Sequence, residues 1–186
     1  MSRIIVDSIR NSSASSDGIT LSSDGKVAFP NGGAGKILQV ISVDKTDTFS
    51  TNSTSKTDIT GMSVSITPSS NSSKIMVFAE INHGGYDYNF HIDLVRGSTA
   101  LRVPSSGNNP ATLQAPGISS SSSYLWTMWT RNINLLDSPS TTSATTYKLQ
   151  VACQSGGYFY LNRPRRDGNA VDGVCSSSIT VMEVAA

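Results

Sequence analysis

Little of this chain can support charge-driven chemistry. Asp, Glu, Lys and Arg make up 15% of its 186 residues, and the formal net charge is +1. So near-neutral a balance gives no general pull toward nucleic acid or an acidic membrane surface, and neither is expected as a partner. Long apolar runs are missing too: nothing approaches the roughly 20 residues of a membrane span. The opening MSRIIVDSIR has an apolar segment too short for a signal peptide, with no small-residue cleavage site after it. The chain is therefore expected to fold in the cytoplasm where it is made. Its two cysteines, Cys153 and Cys175, show neither metal spacing nor a CxxC motif. Cys153 shares an alternating face with Tyr147, Leu149 and Val151 and reads as a small buried apolar residue. A Cys153–Cys175 disulfide is the alternative. Finally, no segment has a helical period with caps at both ends.

What the chain does have is serine and threonine, together roughly a quarter of it. Scattered among charges they would suggest disorder. Here they alternate with Val, Ile, Leu and aromatics, the pattern of half-buried strands. Strands are expected at 2–6, 36–43, 57–68, 74–82, 88–97, 124–136, 146–153, 157–163 and 176–186. In the second of the long runs Met62, Val64 and Ile66 fall on one face and Ser63, Ser65 and Thr67 on the other. The nearly continuous apolar run 74–82 predicts a central strand covered on both faces. In the last strand Ile179, Val181 and Glu183 share a face. Residues 104–123, rich in Pro, Gly and Ser, predict a long functional or mobile loop. The expected fold is all-β: an antiparallel β-sandwich, jelly-roll-like.

Residues 1–35 read as a separate arm. Residues 10–18 are a polar link, and 18–29 form a hairpin around Asp24-Gly25. Its apolar residues Ile4, Ile5, Val6, Ile9, Ile19, Leu21, Val27 and Phe29 are too few to close a core of their own. The arm is therefore expected to borrow a hydrophobic interior from other chains. Residues 36–186 form the sandwich domain. Between the two lies PNGGAGKI (30–37), which superficially offers a phosphate cradle. A phosphate loop needs G-x-x-x-x-G-K-[ST] running from a strand into a helix. Pro30 stands at the first glycine position, Ile37 follows the lysine, and the next residues alternate like a strand. The segment is a hinge.

No enzyme constellation emerges. HGG at 83–85 resembles the oxyanion loop of α/β-hydrolases, but no G-x-S-x-G elbow supplies a nucleophile. His83, Asp87, His91 and Asp93 are weak metal candidates, outweighed by polar residues on a strand's outer face. No metal or other cofactor is expected. Glu80 and Glu183 sit in the most apolar strands and read as hydrogen-bonded register residues rather than an acid–base pair. The aromatics Tyr86, Tyr88, Tyr124, Trp126, Trp129, Tyr158 and Tyr160 border Gly- and Ser-rich loops. Rings with polar tips suit sugar stacking or subunit interfaces, although filling a core or an interface is the commoner role of such rings. The basic cluster NRPRRDG (162–168) reads as a local salt-bridging or ligand loop.

GKILQVISV, TDITGMSVSITPSSNSSKIMVFAEI, IDLVRGSTAL, YFYLNR and SSSITVMEVAA together resemble a family of tail-fibre-like and virion structural proteins of marine tailed phages, cyanophages especially. The resemblance covers about residues 36–186, and RIIVDSIRN…SDGITLSSDGKVAFPNG is similar to arms that attach such proteins to a particle. It implies a non-enzymatic virion protein: a tail fibre or similar appendage, held by residues 1–35 to other virion proteins and presenting a sandwich head to a host surface polysaccharide. It implies a homotrimer as well. A capsid decoration protein clamping shell subunits is the alternative, and a polysaccharide depolymerase a third.

Overall fold

The computed structural model describes residues 8–9, 19–21, 27–28, 36–86, 89–117, 125–168 and 172–186. Among them there is no helix. Three short strands, β1 (Ser8–Ile9), β2 (Ile19–Leu21) and β3 (Val27–Ala28), pair antiparallel as a small sheet of their own. Leu21 faces Val27 across the expected hairpin, and β1 adds a third strand that the sequence pattern did not indicate. Of the arm's apolar residues, Ile19 is half-buried. Ile9, Leu21 and Val27 are placed by backbone alone, while Ile4, Ile5, Val6 and Phe29 lie outside the described residues, as does the strand expected at 2–6.

The remaining strands build two antiparallel sheets. The first contains β4 (Ile37–Lys45), β5 (Phe49–Thr51), β7 (Lys74–Tyr86), β11 (Trp129–Asp137), β13 (Tyr158–Leu161) and β14 (Ser177–Val184). The long β7 is its spine: β14 and then β13 lie end to end along one edge, and β11 runs along the other. The second sheet contains β6 (Thr57–Ile66), β8 (Phe90–Arg96), β9 (Thr99–Ala100), β10 (Leu113–Ala115) and β12 (Thr145–Cys153), in the order β10-β8-β12-β6. The pairing is nested. Of the eight principal strands, β4 pairs with the last, β14; β6 with β12; β7 with β11; and β8 with β10.

Period-two alternation sends one face of each sheet into a shared core. Met62, Val64 and Ile66 are buried while Ser63, Ser65 and Thr67 are exposed, as the sequence pattern predicts. From β7 come Ile75, Val77, Ala79 and Ile81; from β12, Tyr147, Leu149, Val151 and Cys153; from β14, Ile179 and Val181. Both cysteines are free, Cys153 buried and Cys175 exposed, so the disulfide alternative fails. One expectation for β7 also fails. It is central, but its second face is open: Phe78 is 38% exposed and Glu80 is exposed. A two-layer sandwich covers each sheet once, so an unbroken apolar run here reflects a partly apolar outer surface, not a second layer. The strand expected from 124 begins only at Trp129, because Leu125 and Trp126 lie in a turn. The long loop at 104–123 contains the short β10, which pairs with β8.

The register gives the sandwich two distinct poles. At one, Val184 pairs with Ile37 and Lys74, Tyr147 with Arg96, and Asp137 with Ile75. The chain enters here, and Lys36 accepts a backbone hydrogen bond from Ala185 at 2.8 Å. At the other pole Ser177 pairs with Lys45, Trp129 with His83, Cys153 with Phe90, and Ala115 also with Phe90. The described connections at 52–56, 125–128 and 154–157, with residues 89 and 116–117, belong to this second pole, which we call the loop pole.

Candidate functional site at the loop pole

Two adjoining pockets of about 460 Å³ each share His91, Asn108, Asn109, Pro110 and Gln154. Together they form one groove at the loop pole. Its floor comes from the outward faces of β8 and β12, through His91 and Ala152. Its wall is the 104–111 segment, and its ends are Asn89 and Gln154 on one side and Thr54 and Lys56 on the other. The two ends are tied by backbone: Gln154 N–H donates to the Asn89 carbonyl at 3.0 Å and Cys153 N–H to that of Ser53 at 2.8 Å.

A segment as long as 101–112 needs anchors to make a wall, and Asp93 and Thr112 supply them. Asp93 is 5% exposed although it lies on the outer face of β8. One of its oxygens accepts from Thr112 N–H at 3.1 Å, and the other meets Lys56 Nζ at 3.0 Å. The Thr112 hydroxyl accepts from Leu94 N–H at 3.0 Å and donates to the Leu101 carbonyl at 2.7 Å. Both ends of the segment are thus pinned to β8, with every buried polar atom in the clamp paired. Lys56 is consumed by this clamp and also donates to the His91 carbonyl at 3.1 Å. Burial and the nearby Lys56 charge hold the His91 imidazole below its usual pKa, outweighing Asp93. At neutral pH the groove therefore presents amides, hydroxyls and a neutral imidazole.

Of the weak metal candidates, His83 is not brought to His91 and Asp93. His83 points into the core and is fully buried, whereas His91 and Asp93 face outward from β8, where Phe90 and Ile92 face inward. Asp87 lies outside the described residues. Among the described residues no group of three metal-type ligands forms. His83 is instead a core aromatic, with ring centroids 5.6 Å from Phe159, 5.7 Å from Trp129 and 6.2 Å from Phe90. Its Nε2 has no hydrogen-bond partner. Burial drives its pKa down to about 4, against a weak contact of Nδ1 with the Gly84 carbonyl. The neighbouring glycines of HGG are explained by packing. A Cβ on Gly85 would lie 2.2 Å from the Phe90 ring, and one on Gly84 would lie 2.7 Å from the Arg163 carbonyl.

The candidate aromatics divide. Trp129 belongs to the core rim beside His83. Tyr158 and Tyr160 face outward from β13 as a stacked pair with centroids 6.3 Å apart, and the Arg163 guanidinium sits 4.3 Å above Tyr160. Trp126 is 51% exposed, with Arg166 stacked 5.1 Å from its ring. Arg166 is held by Asp172 at 2.8 Å, and Arg163 approaches Asp167 at 3.8 Å, so the basic cluster is locally salt-bridged as expected. We call Tyr158, Tyr160 and Trp126 the aromatic ledge; guanidinium groups cap Tyr160 and Trp126, and Tyr158 is 42% exposed. Tyr88 and Tyr124 lie outside the described residues, and Tyr86 is placed by backbone alone.

The carboxylates take separate roles. Glu183, fully buried, accepts from Gln39 Nε2 at 2.6 Å and from the Ser69 backbone and hydroxyl at 2.7 and 2.6 Å. Burial alone would raise its pKa, but the bonds from Ser69, Gln39 and Ser73 outweigh it and hold the group at about 2. That is the register role expected of it. Glu80 is exposed on the opposite face of the sheet, so the two form no acid–base pair. The sequence did not single out the groove amides Asn89, Asn108, Asn109, Gln114 and Gln154 one by one, but all five fall in the loops 83–89, 104–123 and 154–175 from which a receptor surface is expected.

No protein-family model matches the chain, and no curated protein matches it. Among solved structures, the chain is similar to one in the structure of infectious bursal disease virus Gt strain, at 15% identity and a TM-score of 0.41, and to one in that of the Gx strain, at 14% and 0.38. Each match covers 90% of this chain but only 42% and 44%, respectively, of the longer viral chains.

Proposed function

We propose that the protein is a virion structural component of a tailed phage, an appendage that binds and does not catalyse. In this reading residues 1–35 attach it to other virion proteins and the sandwich, a jelly roll by its nested pairing, presents the loop pole to a host surface polysaccharide. The observation that carries the reading is bipolarity. The chain enters the sandwich at Lys36, at the pole opposite the polar groove. An attachment segment at one end and a ligand-type surface at the other is the layout an outward-pointing head requires. The Ser/Thr-rich, sparsely charged exterior suits a protein that works outside the cell. The outer row Val40, Met182, Met76 and Leu136, aligned across four strands, gives copies of the head an apolar face for the expected homotrimer.

The test is truncation. Among the described residues every member of the buried core lies between Ile59 and Val181, so residues 36–186 are expected to fold and self-associate alone but to be absent from purified particles. Normal incorporation of the truncated chain would refute attachment through the arm. Copy number per particle separates an appendage, at tens or fewer, from a shell-decorating protein, at hundreds.

A further inference from the structure

We infer that the groove between His91 and the 104–111 segment is a binding site for a neutral oligosaccharide chain, and that it, not the aromatic ledge, is the principal contact of the loop pole. The inference rests on the receptor-binding reading above and gives it a site and a ligand class.

Three properties of the groove carry it. The first is its chemistry. Asn108, Asn109, Gln114 and Gln154 each bring a carbonyl acceptor and two N–H donors to one concave surface. A sugar hydroxyl is at once donor and acceptor, so amides match it better than carboxylates or ammonium groups do. The second is charge. The one cation at the groove, Lys56, is already paired with Asp93 at 3.0 Å. Among the described residues no carboxylate lines either pocket. Among the described residues an anionic polymer would find no free counter-charge here, and a cationic one none either; a neutral polar ligand needs none. The third is rigidity. The floor is strand, and the Asp93–Thr112 clamp fixes the wall at its base, so less ordering entropy opposes binding. Pro104, Pro110 and Ala111 add small apolar patches on which the C–H face of a sugar ring can rest. The groove is open along its length, with room for a chain rather than a single ring.

The aromatic ledge is a weaker candidate. Arg163 covers Tyr160 and Arg166 covers Trp126, so a sugar would have to displace a guanidinium to stack on either ring. Among the described residues only Tyr158 of these three is exposed without one over it.

The experiment is an NMR titration of the full-length, isotope-labelled chain with neutral hexasaccharides (a glucan, a mannan, a galactan and a xylan) beside an acidic oligogalacturonate. The side-chain amides of Asn108, Asn109 and Gln154 should shift with at least one neutral chain and not with the acidic one. The double variant Asn109→Asp/Gln154→Glu removes two NH2 donors with little change of shape in exposed positions. It should keep the wild-type spectrum elsewhere and weaken that binding at least tenfold. Shifts confined to Trp126, Tyr158 and Tyr160 would overturn the assignment of the site, and preference for the acidic chain would overturn the ligand class. No shift with any saccharide would overturn both. Virion attachment stands or falls separately, on incorporation of the truncated chain.

Discussion

Replacing His83 with phenylalanine should flatten the pH dependence of stability. The imidazole is fully buried among Phe90, Trp129 and Phe159 and has a pKa of about 4 in place of 6.5. Below pH 6.5 the unfolded chain takes up a proton at this residue and the folded chain does not. Stability therefore falls as pH drops from 6.5, and the loss is complete near 4, where the folded form also protonates. Two and a half pH units correspond to about 3 kcal/mol in all, of which about 2 kcal/mol is lost between pH 7 and pH 5. Stopping at pH 5 keeps the carboxylates out of the comparison. His91 shifts in the same direction and contributes to both proteins alike, so the difference isolates His83. Phenylalanine keeps the ring stacked on Phe159 and removes the unpartnered Nε2, so the variant should match or exceed wild-type stability at pH 7. In urea melts of both proteins at the two pH values, the wild type should lose about 2 kcal/mol more than His83→Phe, or about 4–8 °C of Tm. Parallel losses in the two proteins would refute the argument, because His83 would then be titrating normally in the fold.

Substitutions at two other positions test the packing around this site. Gly85→Ala places a methyl 2.2 Å from the buried Phe90 ring, and forced overpacking there should cost about 1–3 kcal/mol; a melt unchanged from wild type would show that the ring has room to move. Asn162, fully buried with φ of 62°, donates from its amide to the carbonyls of Lys45 and Asp47, both at 2.8 Å, and accepts from the Ser177 hydroxyl at 2.6 Å. Asn162→Ala removes all three bonds and leaves alanine in a left-handed conformation, so it should cost about 3 kcal/mol or more, read as a loss of Tm, while Asn162→Gly, which relieves the backbone, should cost less.

Strand content was legible in the sequence because alternation is a local signal. Met62, Val64 and Ile66 against Ser63, Ser65 and Thr67 is enough to orient β6, and the same rule buried Cys153 and Glu183 correctly. Alternation could not say how many faces of β7 are covered, since an apolar outer residue such as Phe78 looks the same in sequence as a core residue. Nor could it find Asn162, whose three partners lie 15 to 117 positions away.

The candidate site follows the same division. Composition established a sparsely charged, near-neutral chain, alternation gave it a Ser/Thr-clad sheet surface, and turn residues marked 104–123 as a loop worth watching. That loop became the wall of a groove only through Thr112 and Asp93, which bind it to β8, and through the pairing that brings residues 54–56, 89, 108–110 and 154 to one pole. Local preferences of the backbone and side chains decide which segments are strands and which face turns inward. Which loops meet depends on pairing between strands far apart in the chain, and only the closed sandwich settles that.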